Sequence, residues 1–276
     1  MLEVDRWPEL RDPAMVYAFA GWVDSGHVGA GTVAALAEQL DAGRRFATLD
    51  LTDLLDLQQV RPTVRLEDGG IRGLEWPRME LIAGRAGRDV VLAFGPEPSI
   101  RWPEVAGMLV DAARRLGVTE AAAVGGMPGA VSHRRPVSVI GTAAGRSLAQ
   151  EIGPLRADYE GPTGFQTVLE HALGESGVRS IALWAQVPQY IAGSLSPMGV
   201  RAVLERLGEV IGVTVDLRVH DERCEAYLAR IEEGLAERPD VLDIIDRIDA
   251  ATPEAPSGVE LVSEIERFLR SQPGQG

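Results

Sequence analysis

MVYAFAGWVDSGHVGAGTVAALAEQL, residues 15–40, sets the fold class. Residues 15–21 form a short apolar run that ends in glycine, the pattern of a buried strand. Residues 27–40 carry Val28, Val33, Leu36 and Leu40 among glycines and alanines. That texture predicts a helix packed very close to its neighbours. A buried strand, a loop and a helix in that order begin a layered α/β unit.

The same alternation continues outward. RFATLDL (45–51), MELIAG (79–84), DVVLAFG (89–95), AAAVGGM (121–127), VSVIGTA (137–143) and RSIALWAQV (179–187) read as strands. VRLEDGGIRGLEW (64–76) reads as a hairpin turning at Asp68-Gly69-Gly70. Helices are predicted from Ser99 and Pro103 to Leu116, with Gly117 as the stop, and from Gly164 to Leu173, ended by Gly174. Ser196-Pro197 caps and opens another that runs to about Val210. The expected fold is therefore α/β, a mixed sheet flanked by helices in three layers.

From about Asp221 the chain is helix only. Cys224, Leu228, Ile231 and Leu235 form one stripe, and Val241, Ile244, Ile245 and Ile248 a second. A Pro-rich linker at 251–258 leads to a last helix with Leu261, Ile265, Phe268 and Leu269, opened by a Ser257/Glu260 capping box. The tail SQPGQG is expected to be disordered. This gives a core domain over 1–216 and a C-terminal helical segment over 217–276, packed on or beside it.

The chain has 276 residues and a net charge of −14. No Lys/Arg run exceeds two, so nucleic acid and anionic membranes are poor partners. No stretch of about 18 apolar residues exists to span a bilayer. The N-terminal residues MLEVDRWPEL are not expected to act as a signal peptide, and the cytoplasm is the expected compartment. The sequence contains neither Lys nor Asn. That removes Schiff-base chemistry and the phosphate-binding lysine of a P-loop. It points to a GC-rich genome, because both residues are encoded by adenine-rich codons. The one cysteine, Cys224, excludes an intrachain disulfide and a Cys-based zinc cage. No cofactor and no metal is expected.

Two nucleotide fingerprints nearly match and fail. Gly21 and Gly26 have P-loop spacing, but His27 and Val28 replace its lysine and hydroxyl. Gly29-Ala30-Gly31-Thr32-Val33-Ala34 has dinucleotide spacing, yet its first glycine lies well past the strand end. Small residues for close helix packing explain it better. Asp50, Asp53 and Asp56 are spaced to hold a hard cation, but a solvated connection explains them better.

Ligands of open α/β folds bind outside the strand carboxyl ends, and three places there stand out. Gly21-Trp22-Val23-Asp24-Ser25-Gly26-His27 feeds a helix N-terminus, whose amides and dipole suit an anion. Asp24 and His27 are the acid/base candidates, and Asp24, Ser25 or His27 serve equally well as plain caps. Gly125-Gly126-Met127-Pro128 through His133-Arg134-Arg135-Pro136 offers an arginine clamp, or an exposed loop with scattered charge. Glu160 to Phe165 opens a helix at Gly164, with Val187-Pro188-Gln189-Tyr190 as its partner. The ligand-binding candidates are thus Gly21, Trp22, Ser25, Gly26, Met127, His133, Arg135, Gly164 and Tyr190. The alternative for Arg135 is a structural pair with a carboxylate such as Asp24 or Glu160. The four loops 21–27, 125–136, 161–165 and 187–190 are expected to meet at one edge of the sheet.

GWVDSG, GGMP, HRRP, EGPTGF and VPQY, in this order and spacing, resemble the proteasome assembly chaperone family, in its actinobacterial and archaeal branch. The resemblance spans nearly the whole chain. It implies a fold similar to the purine nucleoside phosphorylases, a central mixed sheet flanked by helices. Eukaryotic relatives help assemble the proteasome α-ring. Two positions depart from the family pattern: Ser132 stands where the family has proline, and Arg134 where it has threonine. Arg135-Pro136 is the matched pair.

Two readings follow. One is a protein-assembly or binding factor with proteasome-related partners. The other is a small-molecule enzyme or binder with a phosphorylase-like pocket for an anionic or nucleoside-like ligand. A homo-oligomer is expected in either case, with the 27–40 helix and the helical C-terminus offering surfaces.

Overall fold

The computed structural model describes residues 2–21, 24–152 and 160–251. An eight-stranded mixed sheet runs through it. In chain order the elements begin β1 (Leu2–Val4), β2 (Ala14–Ala20), α1 (Val28–Gln39), β3 (Asp41–Asp50), β4 (Thr63–Glu67) and β5 (Gly70–Glu75). β6 (Arg78–Ala86), β7 (Arg88–Pro96), α2 (Trp102–Leu116), β8 (Glu120–Gly129), β9 (Val139–Ala143) and α3 (Arg146–Glu151) follow. The chain continues through α4 (Phe165–Glu175), β10 (Arg179–Pro188), α5 (Pro197–Ile211), α6 (Arg218–Leu235) and α7 (Pro239–Ala251).

The strand order is β1-β3-β6-β7-β2-β8-β10-β9. β7, β2, β8 and β10 are parallel neighbours, and the outer pairings are antiparallel. The carboxyl ends of the four central strands therefore share one edge. β4 and β5 form a separate two-stranded hairpin. Its turn puts Asp68 at φ 50° and Gly69 at φ 78°, the left-handed pair that a two-residue hairpin turn requires.

Alternation along the strands splits the core in two. Met15, Tyr17, Phe19, Ala121, Ala123 and Ala182 face α2 and α4, while Val16, Ala18, Val124, Leu183 and Ala185 face α1 and α5. The glycines of α1 are packing glycines. A Cβ at Gly29 would lie 2.6 Å from the Val124 carbonyl oxygen, and one at Gly31 would lie 2.7 Å from Val200.

Several elements differ from the sequence reading. β1 and α3 carry too little apolar pattern to announce themselves, and α3 buries no residue. α4 continues through Gly174 to Glu175. On α6 it is Tyr227, not Leu228, that joins Ile231 and Leu235 in the buried stripe, and on α7 Ile244 is half exposed. The Ser257/Glu260 cap, the last helix and the tail lie outside the described residues.

Candidate functional site

The loop after β2 is held by its own carboxylate. Asp24 Oδ1 accepts from Gly29 N at 2.7 Å and Gly126 N at 3.2 Å, and Oδ2 accepts from Ala30 N at 3.1 Å. Asp24 thus fills the anion position at the N-terminus of α1 and ties it to β8. Burial pushes its carboxyl up from the ordinary aspartate value, against the pull of the three amides. Gly126 must be glycine, because a Cβ there would overlap the Ser25 carbonyl oxygen.

Gly26, at φ 65°, donates from N to the Ala192 carbonyl, and its own carbonyl accepts from Ser196 N, both at 2.8 Å. His27 stands exposed at the head of α1 with φ 47°. Trp22 falls outside the described residues. Asp50 Oδ1 accepts from both the amide and the hydroxyl of Thr52, and Asp56 from Gln58 N, so two of the three spaced aspartates close local turns.

Glu97, just past β7, repeats the device. Its Oε1 accepts from Phe165 N, in the first turn of α4, at 2.6 Å. A Cβ on Gly21 would overlap the same carboxylate, and one on Gly164 would lie 3.1 Å from Oε1. Sequence reasoning missed Glu97, although FGPEP put a lone acid just past a buried strand. Met127 is half-buried on β8 and pairs with Gln186 of β10.

The second cluster gathers on His133. The Tyr190 hydroxyl accepts from His133 N at 2.9 Å and lies 2.7 Å from Nδ1, with the rings edge-on. Nε2 lies 2.9 Å from Glu232 Oε1 of α6. With Nε2 donating to Glu232, Nδ1 is left to meet the Tyr190 hydroxyl. Burial raises the Tyr190 hydroxyl, while the His133 hydrogen bond lowers the Glu232 carboxyl.

Arg134 meets Asp246 at 3.0 Å and Glu232 at 3.6 Å. Arg135 Nε donates to Asp249 Oδ1 at 2.9 Å, and its guanidinium also reaches the Asp249 carbonyl. Ser132 Oγ lies 3.2 Å from Asp249 Oδ2. Asp249 of α7 is thus a carboxylate that answers Arg135, the pairing that stood as the alternative to an anion clamp, with Asp24 and Glu160 as its examples. Glu232, Asp246 and Asp249 were invisible to sequence reasoning, because they come from helices about a hundred residues downstream of the arginines they meet.

The structure brings the loops together at the carboxyl edge in two groups. Asp24, Gly26 and Gly126 close around the end of β10, while His133, Arg135 and Tyr190 close under α6 and α7. An open depression of about 440 Å³ at the β4–β5 tip, lined by Glu67, Asp68, Gly70, Ile71 and Arg72, contains none of these residues. Among the described residues no helix is long and apolar enough to cross a membrane, and no three His, Cys, Asp or Glu are grouped to hold a metal.

Known proteins share this fold. The family model described as PAC2 family matches residues 18–235. A PAC2 family protein from Streptomyces avermitilis is 35% identical, with a TM-score of 0.77, over 85% of this chain and 100% of that one. The Mycobacterium tuberculosis proteasome-assembly chaperone homologue Rv2125 is 32% identical, also at 0.77, over 84% of this chain and 99% of its own. At 18% identity the Pyrococcus furiosus protein PbaB, an archaeal proteasome activator, shares the fold, with a TM-score of 0.68 over 84% of this chain and 97% of its own. No curated protein matches significantly.

Proposed function

We propose, since the chain belongs to the PAC2 family, that it is a protein-assembly or binding factor whose carboxyl-edge loops and α6–α7 form a docking platform for proteasome-related proteins. One observation carries this reading. Of the groups suited to acid/base or anion chemistry, Asp24, His133, Arg134 and Arg135 each meet a partner supplied by the chain itself, and His27 stands exposed at the surface. Their chemistry goes into shaping a surface. The Mycobacterium and Pyrococcus relatives, a proteasome-assembly chaperone homologue and an archaeal proteasome activator, supply the kind of partner. We read the architecture as phosphorylase-like, with the same strand edge used for protein contact in place of a nucleoside.

The test is reconstitution. Purified chain is mixed with separately purified α and β subunits of an actinobacterial proteasome, and assembly is followed by native mass spectrometry. A complex with free subunits, or a changed yield of core particle, is the expected result. Unchanged assembly with no complex at micromolar concentration overturns the reading.

The small-molecule reading keeps one foothold. Arg134 and Arg135 remain about 40% exposed in their ion pairs (38% and 42% for the side chains), within reach of an external anion. It requires that anion to take the place of Asp249.

A further inference from the structure

The β4–β5 hairpin carries five of the nine exposed large apolar side chains among the described residues: Val64, Leu66, Ile71, Leu74 and Trp76. Across a bulge between Arg65 and Leu66, register puts four of them on one face. Val64 pairs with Leu74 and Leu66 with Ile71, and Trp76 follows Leu74 by two residues. Leu66 and Ile71 are 64% and 72% exposed, values that a side chain packed on its own body does not reach.

Four of the five charged side chains of the hairpin pair within it. Arg65 pairs with Glu75 across the strands, and Arg72 Nε lies 3.0 Å from Glu67. Residues 63–75 hold Arg65 and Arg72 against Glu67, Asp68 and Glu75, a net charge of −1 in a chain of −14.

We infer that this apolar face buries against a second copy of the chain. Two bodies of charge −14 repel, and an apolar face on a nearly neutral hairpin is where they approach at least cost. A strongly charged partner would find nothing there to answer it. An isolated two-stranded ribbon is marginal until its apolar face is covered. Two identical faces related by a twofold axis are complementary by construction and stack as a small two-layer sandwich. The helix α1, expected to supply a self-association surface, buries Val28, Val33 and Leu36 against its own sheet and α5. The inference does not depend on the proteasome-partner reading.

Sedimentation velocity of the wild type across the micromolar range tests it, beside the double variant Leu66→Glu/Ile71→Glu. The wild type is expected above the monomer mass of 29.6 kDa and the variant at it, with unchanged circular dichroism. A second pair of variants keeps the fold neutral. In a Cys224→Ser background, Ile71→Cys should be joined to a second chain by a short bis-maleimide, and Thr63→Cys, on the charged face, should not. A monomeric wild type, an assembly that survives the double variant, or cross-linking through Cys at 63 but not at 71 overturns the inference.

Discussion

At the carboxyl edge, Asp24, Glu97, His133, Arg134 and Arg135 meet partners, while Gln186 Oε1 at the end of β10 is buried without one among the described residues. Beneath α4, on the same molecule, several polar groups do not. The Tyr17 hydroxyl, Ser180 Oγ and Gln166 Nε2 are buried without a hydrogen bond among the described residues; Ser180 neighbours Tyr17 but lacks the geometry. Register explains the crowding. Tyr17, Ala123, Ala182 and Thr142 lie in one row across four strands, and Glu170 of α4 fills the space over the two alanines. Its carboxylate oxygens lie 3.3 and 3.4 Å from Thr142 Oγ1. Burial pushes Glu170 up to about 7 and holds the Tyr17 hydroxyl well above its ordinary value. Most charged side chains of the loops that look functional in sequence have spent their hydrogen-bonding capacity on structure, and the densest group of unspent atoms lies beneath α4, where no motif points.

The largest expected effect sharpens that contrast. A carboxyl raised from 4.5 to about 7 on folding stabilises fully below its unfolded value, and that contribution is lost as pH rises through 7. Denaturant titrations should show wild-type stability falling by about 3 kcal/mol between acid and pH 8, relative to Glu170→Gln. Parallel pH curves would place Glu170 with the answered groups at the edge.

Asp24→Ala comes next. It leaves three amides at the head of α1 and on β8 without their acceptor, at a cost of about 2 kcal/mol by thermal or denaturant unfolding. A loss under about 0.5 kcal/mol would mean that the carboxylate does not hold the loop.

Arg135→Ala breaks a partly exposed pair, worth about 1 kcal/mol at most. Phosphate or sulfate should leave the wild-type melting temperature unchanged, since Asp249 occupies the guanidinium. Anion-dependent stabilisation that the variant loses would break the comparison and favour the small-molecule reading.

The smallest effect belongs to Glu232→Gln, a few tenths of a kcal/mol, because its side chain is half exposed. The folded carboxyl is lowered, so its contribution is present at neutral pH and fades as the solution is acidified below the ordinary glutamate range.

The strand–helix alternation was legible because buried strands and amphipathic helices write their period into local sequence. The Asp68-Gly69 turn was legible because few residues accept its dihedrals. Asp24 was legible as a residue that matters, with its capping role one of two open choices. The partner of Arg135 was not, because pairing depends on where α7 docks. Nor was Glu170, since a glutamate on a short helix reads as solvated until the facing strands supply alanines beneath it. The stripe on α6 was misplaced by one residue, because Tyr227 and Leu228 compete for one face and packing against the body, which the local period does not contain, decides.

The docking of α6 and α7 has a kinetic side. The pair is fastened by Glu232, Asp246 and Asp249 on the His133–Arg135 loop and by a small apolar cluster of Tyr227, Ile231, Leu235 and Ile245. Salt screens the first fastening, and the second is minor beside the two sheet-facing cores. In amide hydrogen exchange these helices should open as one unit well before the central strands, and sooner as ionic strength rises. Each opening would uncover the His133 imidazole, whose side chain is 1% exposed when they are closed, for as long as the helices are away.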